Sequence, residues 1–575
     1  MTFIHGARMD ISVICYFLTL PVLVVFLLPL KPALYLYQKL NIYHRILILL
    51  LTILLASNVL VFHFWGNLIN FRALSYLADP VQMLHSLSSL QLIAVFVCLA
   101  ILIFLSWVVF KKTCSLPVYN ETKISPFQRI VAILSLSFLM VTGIRGGWQL
   151  IPMNQSTVAF SGNNFLNQSA LNPAWHLAYE IKNARLLDGN PFHKMEDSVA
   201  EALVKELFVN ASDTFPQILK FQKPNIVVII LESHTADVVG SQGGEKNVSP
   251  FLDTMISEGL LFSSVLSSGS RTDQGIVSIL NGWPATPYHS IMRSTEKSAK
   301  LPSLPKDFKA KGYQTSFYYG GESNFSNLNL YLIGQTFDLI KEMKDFDDNT
   351  PRGKWGVFDE YVFERQASEL SQTSQPFFSV LMTLSNHEPF DIPGTPRFPG
   401  SSEADRFKSA AAYTDDCLRR YINSVKQQPW YDNTLFIVVA DHGHRLPYYK
   451  DEVFPNTKLI PLLFYGNVLN PDYHGKRITK QGGHHDIPGT LLPQLNMDAS
   501  AYHWSKNLLN AGTRNFSYYQ IEYVMGWVQE EDYFVFSYPK KDFLVDSIQT
   551  VSERDALLQL GQAFIQKLYG EYLAY

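Results

Sequence analysis

Two short tracts put potential metal ligands directly after apolar runs. Glu232 follows Asn225–Leu231, and Asp441 and His442 follow Leu435–Ala440. Carboxylate oxygens and imidazole nitrogens suit a hard or borderline divalent ion, Mn²⁺, Mg²⁺ or Zn²⁺, whereas the lack of grouped cysteines disfavours a thiolate site. Glu232, Asp441 and His442 would supply three ligands. A hydroxyl is a weak nucleophile unless metal coordination or a base lowers its pKa. The candidate is Thr272, in the small-residue run S-S-G-S-R-T-D-Q-G from Ser267 to Gly275, which leads into the apolar stretch Ile276–Leu280. A hydroxyl at the start of such a helix has backbone N–H groups and the positive dipole end beside it, a setting that holds a phosphoryl oxygen. On this run alone Thr272 reads equally well as a helix cap. His387 stands just after the apolar run Phe377–Leu384. Any one of these residues, taken singly, is what a capping carboxylate or a core histidine looks like. It is their convergence at strand ends that points to a site. His444 and Arg445 follow the Asp-His-Gly turn and are candidates to add positive charge near a phosphate, His444 as a substrate contact. His484, His485 and Asp486 form a further cluster before Ile487–Leu495, which reads at least as well as a solvated loop and a helix cap.

These residues need a scaffold that brings strand ends to one rim. Asn225–Leu231 and Leu435–Ala440 are continuous β-branched runs, as in buried parallel strands, and Phe377–Leu384 and Thr315–Tyr319 are further strand candidates. Amphipathic stretches at Ser249–Glu258, Leu301–Lys311 and Ala410–Lys426 separate them. The alternation predicts an α/β domain with a mainly parallel sheet covered by helices, whose ligands bind outside the carboxyl ends of the strands.

The chain has 575 residues, 47% hydrophobic and 17% charged, which leaves room for a membrane unit and one large globular domain. Ile11–Leu30, Ile46–Trp65 and Leu92–Phe110 are close to the roughly 20 residues that cross a bilayer, and Ile130–Ile144, between Arg129 and Arg145, is a shorter fourth span. The first is long for a signal peptide and lacks an evident cleavage site, so it is expected to be retained. Lys31, Lys39 and Arg45 lie between the first two spans, and Lys111, Lys112, Lys123 and Arg129 between the last two, whereas the loop Gly66–Leu90 has only Arg72. The positive-inside tendency then places the N-terminus and everything after Arg145 outside the cytoplasm. The expected organisation is a transmembrane domain at 1–148 with about four spans, a polar connector at 149–220 containing a helix near Ala174–Leu187, and a catalytic domain at 221–575. Net charge is −3 with no long like-charged run, which gives no reason to expect a nucleic-acid partner. The four cysteines, Cys15, Cys98, Cys114 and Cys417, do not form a disulfide framework.

Several separated motifs carry a resemblance: N-I-V-V-I-I-L-E-S at Asn225–Ser233, S-P-F-L at Ser249–Leu252, S-R-T-D at Ser270–Asp273, S-N-H-E-P-F at Ser385–Phe390, A-D-H-G at Ala440–Gly443, and less specifically K-W-G-V-F-D at Lys354–Asp359. With the membrane anchor, this set resembles the lipoteichoic acid synthase and phosphoglycerol transferase family of the sulfatase-like, alkaline phosphatase superfamily. The resemblance implies an alkaline phosphatase/sulfatase-like fold and one divalent ion, Mn²⁺ before Mg²⁺ or Zn²⁺, held by Glu232, Thr272, Asp441 and His442. It implies that Thr272 is also the nucleophile and that His387 lies in the substrate pocket. Thr272 would take a phosphoglycerol or phosphoethanolamine head group from a membrane phospholipid, and a cell-envelope glycan or lipid would resolve the phosphothreonine. The catalytic domain would face the outside of a bacterial inner membrane. The polyglycerolphosphate synthases carry His-Gly-Asn and Phe-Trp-Asn-Arg where this chain has Tyr319–Gly321 and Phe325–Leu328. That difference counts against polymer synthesis and brings the chain closer to Gram-negative relatives.

A sulfatase would need the C/S-x-P-x-R pattern, which the stretch around Thr272 lacks. A phosphodiesterase using water as acceptor differs from the transferase only in what reaches the phosphothreonine, and it stays open as the alternative. A non-catalytic receptor fits poorly with a full ligand set, and a transporter fits poorly with spans almost free of interior charge.

Overall fold

A computed structural model describes residues 1–27, 30–65, 68–69, 89–113, 125–149, 151–161, 164–184, 189–209 and 214–575. It divides into two compact units, Met1–Gly189 and Asn190–Tyr575.

The first unit contains the long helices Thr2–Leu27, Leu30–Trp65, Ser89–Thr113 and Pro126–Arg145. Within it Thr2–Val24, Leu40–Val59 and Pro126–Arg145 are long and apolar enough to cross a membrane. The expected first, second and fourth spans overlap these helices. The third, Leu92–Phe110, falls within Ser89–Thr113, some of whose side chains lie outside the described residues, as does most of the expected loop Gly66–Leu90. Large apolar side chains such as Leu134, Val141 and Phe104 point outward, a surface that suits lipid rather than water. Helix signals are explicit at Pro126–Arg145. Ser125 Oγ accepts from the Gln128 N–H while Gln128 Oε1 accepts from the Ser125 N–H, and Gly146 ends the helix at φ 81°. The connector helix appears as Pro173–Ala184.

The second unit is built on an eight-stranded sheet. Its strands are β1 (Asn225–Leu231), β2 (Leu260–Phe262), β4 (Gln314–Tyr319), β5 (Leu339–Lys341), β6 (Phe377–Met382), β7 (Thr434–Ala440), β8 (Leu462–Tyr465) and β9 (Arg477–Ile478), with a short β3 (Val265–Leu266) and β10 (Gly482–Gly483) paired beside it. The order is β5-β4-β6-β1-β7-β8-β2-β9. Pairing is parallel from β5 through β7, and β8 alone runs against its neighbours. β1 is central and every residue of it is buried. One face, with Val227, Ile229 and Leu231, packs on Leu252 and Met255 of the helix Pro250–Glu258, Phe363 of Asp359–Leu370, and Tyr421 and Ile422 of Glu403–Val425. Burial on both faces explains why β1 and β7 read as continuous apolar runs, each buried Val or Ile contributing about 1.5–3 kcal/mol. In register, Leu231 of β1 sits beside Ala440 of β7, and Ile230 beside Met382 of β6. The residues that follow these three strands therefore emerge at the same rim.

A second, four-stranded antiparallel sheet follows: β11 (Ser517–Ile521), β12 (Val524–Gln529), β13 (Asp532–Ser537) and β14 (Asp542–Asp546). The helix Val551–Ala574 closes the chain, with Phe564 edge-on to Trp504 and Trp527.

Candidate active site

The rim gathers four of the expected residues. Glu232 and Asp441, directly after β1 and β7, are buried, and with the largely buried His442 they bring ligand atoms within 4.8 Å of one another. His442 Nε2 lies 3.6 Å from Glu232 Oε1 and 3.5 Å from Asp441 Oδ2. Its Nδ1 donates to the Gly443 carbonyl at 2.9 Å, which fixes that tautomer and leaves the Nε2 lone pair turned to the carboxylates. Asp441 Oδ1 accepts from the N–H groups of Ser233 (2.9 Å) and His442 (2.8 Å). Asp441 Oδ2 is buried and has no hydrogen-bond partner among the described residues. Burial, then the Asp441 carboxylate, push Glu232 up to about 8. Burial opposes the charged form of His442, but Asp441 and Glu232 outweigh it and raise its pKa. Two buried carboxylates, an unused oxygen and an imidazole lone pair make an oxygen-rich set that a hard or borderline divalent cation fits.

Thr272 completes the group. It is the first residue of the helix Thr272–Asn281, whose cap position is Arg271, and its Oγ1 donates to Glu232 Oε2 at 3.3 Å. The hydroxyl is thus turned to the carboxylate cluster instead of capping its own helix. Close approach is secured by Gly275, where a Cβ would meet the Asp441 carbonyl oxygen at 2.2 Å. Gly443 is similarly tight, a Cβ there meeting the Thr457 oxygen at 1.9 Å. A side chain at either position would push the Thr272 helix or the Asp441-His442 turn out of place.

A cavity of about 440 Å³ opens over Thr272, lined by Glu232, His387, His442, His444, Arg293 and Lys458 among others. His387 is one of its lining residues. Its Nδ1 donates to the Glu388 carbonyl at 3.0 Å and its ring lies 4.9 Å from that of Trp355. Its loop is held by buried Asp359, whose Oδ1 accepts from Leu384 N (2.7 Å) and Ser385 N (3.1 Å). That gives the K-W-G-V-F-D motif its structural meaning. His444 lines the cavity too, but not as a positive charge. Its Nδ1 accepts from the Leu446 N–H at 3.1 Å, its ring stacks on Phe407 at 4.6 Å, and burial pulls it down to about 3. It is a neutral histidine that offers an Nε2–H. His484, His485 and Asp486 are buried, not solvated, and His484 Nε2 donates to the Asp441 carbonyl at 2.9 Å.

The positive charge comes from residues the sequence did not single out. Lys458 is 2% exposed, donates to Ser270 Oγ at 2.8 Å, and is pulled down to about 8 by burial. Arg293 reaches the cavity while pairing with Asp273 at 2.9 Å. Neither lies in a motif, since Lys458 precedes an ordinary apolar run and Arg293 a short turn. Only the preference of buried lysines for charged partners marks Lys458, and that is visible once burial is known.

Comparisons with known proteins fit this architecture. Residues 224–497 match the Sulfatase family model. In sequence the chain is similar to lipoteichoic acid synthase 2 of Bacillus subtilis, 24% identical over 324 residues, which cover 52% of this chain and 49% of that protein. It is also similar to the lipoteichoic acid synthase of Staphylococcus aureus, 26% identical over 317 residues, covering 52% and 48%. The chain spans about half the length of the curated relatives it matches. Among solved structures, a protein in the alkaline phosphatase superfamily from Vibrio parahaemolyticus has 25% identity and a TM-score of 0.57, covering 66% of this chain and 97% of that one. The lipoteichoic acid synthase LtaP from Listeria monocytogenes shares the fold, with 18% identity, a TM-score of 0.54, and 66% and 98% coverage.

Proposed function

We propose that this protein is a membrane-anchored, metal-dependent transferase that moves a phosphoglycerol or phosphoethanolamine head group from a phospholipid to a cell-envelope glycan or lipid through a phosphothreonine on Thr272. The observation that carries this reading is the Thr272 hydroxyl, at a helix N-terminus and 3.3 Å from Glu232, beside the buried Asp441 and His442. The similarity to lipoteichoic acid synthases supports the phospholipid donor and the envelope acceptor.

A divalent ion, Mn²⁺ before Mg²⁺ or Zn²⁺, held by Glu232, Asp441, His442 and the Thr272 hydroxyl would supply the charge that acidifies that hydroxyl and offsets charge on the phosphoryl oxygens. Thr272 Oγ1 attacks phosphorus, and the bond from phosphorus to the glycerol oxygen of diacylglycerol breaks. The first-turn N–H groups of Thr272–Asn281 and the Lys458 ammonium hold the non-bridging oxygens. His387, which lines the same cavity, is the candidate to protonate the departing oxygen, a role imidazole chemistry suits. The apolar helices of the first unit keep the enzyme where its donor is, with the catalytic unit outside the cytoplasmic membrane as the loop charges indicate.

The test is to reconstitute purified protein in vesicles with Mn²⁺ and phosphatidylglycerol or phosphatidylethanolamine labelled in the head group. Diacylglycerol release with a labelled protein adduct is expected in the wild type and neither in Thr272→Ala. Release in Thr272→Ala equal to wild type would overturn the covalent route. Release with label passing only to water identifies the phosphodiesterase alternative.

A further inference from the structure

A second cavity of about 330 Å³ lies against the first and shares part of its wall, Ser270, Arg271, Asp273 and Glu452. Its other side is formed by Tyr288, Ile521 and Glu522 among others. Arg271, the residue just before the nucleophile, crosses between the two and pairs with Glu522 at 2.7 Å, with both side chains about half exposed. Glu522 sits in the hairpin between β11 and β12 at φ 39°. That hairpin is fixed to the nucleophile's loop: Gln520 N donates to the Ser268 carbonyl at 2.8 Å, and Gln520 Nε2 to the Glu522 carbonyl at 3.0 Å. The antiparallel sheet thus builds one wall of a cavity whose other wall includes Arg271 and Asp273, the residues on either side of Thr272.

We propose that this second cavity binds the acceptor, and that the acceptor is an uncharged polyhydroxylated molecule, a sugar or polyol. The assignment rests on the transferase reading above and deepens it. A transferase needs a second binding place within reach of the nucleophile and separate from the one the lipid head group fills. The cavity across Arg271 is that place. Its chemistry selects the class. The Arg271 fork and the Glu522 carboxylate offer paired donors and acceptors that match neighbouring hydroxyls. The Tyr288 ring, 5.4 Å from that of Tyr523, offers an aromatic wall for the C–H face of a sugar. Glu522 and Glu452 together repel an anionic acceptor. In the step this implies, an acceptor hydroxyl oxygen attacks the phosphorus of phosphothreonine. The new oxygen–phosphorus bond forms as the bond from phosphorus to Thr272 Oγ1 breaks. The acceptor's proton goes to the Glu452 carboxylate on the shared wall, and Thr272 regains a proton from solvent. The products are the phosphorylated acceptor and free Thr272.

The experiment uses the full-length protein in labelled phospholipid vesicles with Mn²⁺ and follows two readouts, diacylglycerol release and head-group transfer to maltose or to glycerol 3-phosphate. Ile521→Trp fills the cavity, and Glu522→Gln removes its charge without changing shape. Wild type is expected to transfer to maltose in preference to glycerol 3-phosphate. Ile521→Trp should lower transfer to maltose by about tenfold or more, about 1.4 kcal/mol, while diacylglycerol release into water stays within about twofold of wild type. Glu522→Gln should raise the share of transfer going to glycerol 3-phosphate. The assignment fails if Ile521→Trp lowers release and transfer together or changes neither, if neither probe accepts label, or if wild type prefers the anionic probe. Absence of diacylglycerol release from wild type would instead overturn the transferase reading on which the assignment depends.

Discussion

Two buried Asp–His clusters lie side by side in the second unit, Asp441-His442 and His484-His485-Asp486, and in sequence they look alike. They differ in what is left over. Both oxygens of Asp486 accept backbone N–H groups, Oδ2 from Gly483 at 2.9 Å and Oδ1 from Lys506 at 2.8 Å, and the Lys506 charge is close by. His484 spends its Nε2–H on the Asp441 carbonyl, and burial holds both His484 and His485 down at about 3. At the other cluster Asp441 Oδ2 has no partner among the described residues, the His442 Nε2 lone pair is unspent, and Glu232 adds a second carboxylate. In the His484-His485-Asp486 cluster the Asp486 carboxylate is fully served and only the Nδ1 atoms of His484 and His485 lack a partner among the described residues, whereas the other leaves a bare carboxylate oxygen beside another carboxylate, a setting that calls for a cation. Residue type therefore does not make a metal site, whereas a carboxylate oxygen left unsatisfied beside a second carboxylate and an imidazole does.

The widest separation between the two clusters should come from Thr272, the proposed nucleophile, whose hydroxyl only one of them holds. Thr272→Ala is expected to lower head-group transfer by on the order of 10⁴-fold or more, as deleting a nucleophile does in other covalent enzymes. Circular dichroism should show an unchanged fold.

Asp441→Asn and chelation come next. Either should abolish transfer, read as head-group release with and without added Mn²⁺. The two carboxylates repel each other when no ion is bound, so Asp441→Asn should leave the metal-free protein as stable as wild type or more so, by on the order of 1 kcal/mol. The pH dependence follows. Glu232 sits at about 8 in the fold, above its ordinary value, so the folded state holds the extra proton. Metal-free stability is therefore full below the ordinary carboxylate range and is lost as pH rises towards about 8. A thermal unfolding series should show this decline in the metal-free wild type, a smaller one in Asp441→Asn, and none with Mn²⁺ saturating. A flat metal-free profile in wild type would break the contrast drawn here.

Lys458→Met should have a smaller effect, about 10- to 100-fold in kcat/KM, the worth of one hydrogen bond to a charged group. Lys458 is charged below about 8. The kcat/KM of wild type should then fall as pH rises through that value, and this limb should vanish in the variant.

Much of this was legible beforehand. β1 and β7 announce themselves because strands buried on both faces leave continuous apolar runs, and the residues after them had to share a rim once the strands were parallel. Glu232, Asp441 and His442 were candidates on that ground, whereas Thr272 was singled out by the small-residue run Ser267–Gly275 and by the family resemblance. Lys458 and Arg293 did not, because their meaning lies in burial and distance rather than spacing. The antiparallel sheet β11–β14 was missed for a specific reason. Its turns place Glu522, Glu530 and Lys541 at φ 39°, 57° and 54°, positions where glycine or asparagine usually signals a hairpin. The assignment of positive charge to His444 failed because a residue two positions after His442 can turn inward, and there its Nδ1 accepts a backbone N–H.

The smallest effect belongs to the cluster whose carboxylate the backbone already serves. Asp486→Asn replaces one acceptor oxygen with an NH₂ facing a backbone N–H, so one of the bonds from Gly483 or Lys506 must be lost. That should cost about 1–3 kcal/mol of stability. Thermal unfolding of the intact protein reads this, and it should do so equally with and without Mn²⁺, because no ion is expected to bridge Asp486. The consequence for catalysis is indirect. His484 touches the Asp441 carbonyl from the segment that Asp486 anchors. Transfer by Asp486→Asn should therefore fall only in proportion to the folded fraction, and the Mn²⁺ concentration for half-maximal activity should stay where it is in wild type. A shift in that concentration as large as the one produced by altering Asp441 would mean that the two clusters act as one centre, and the division between them would have to be abandoned.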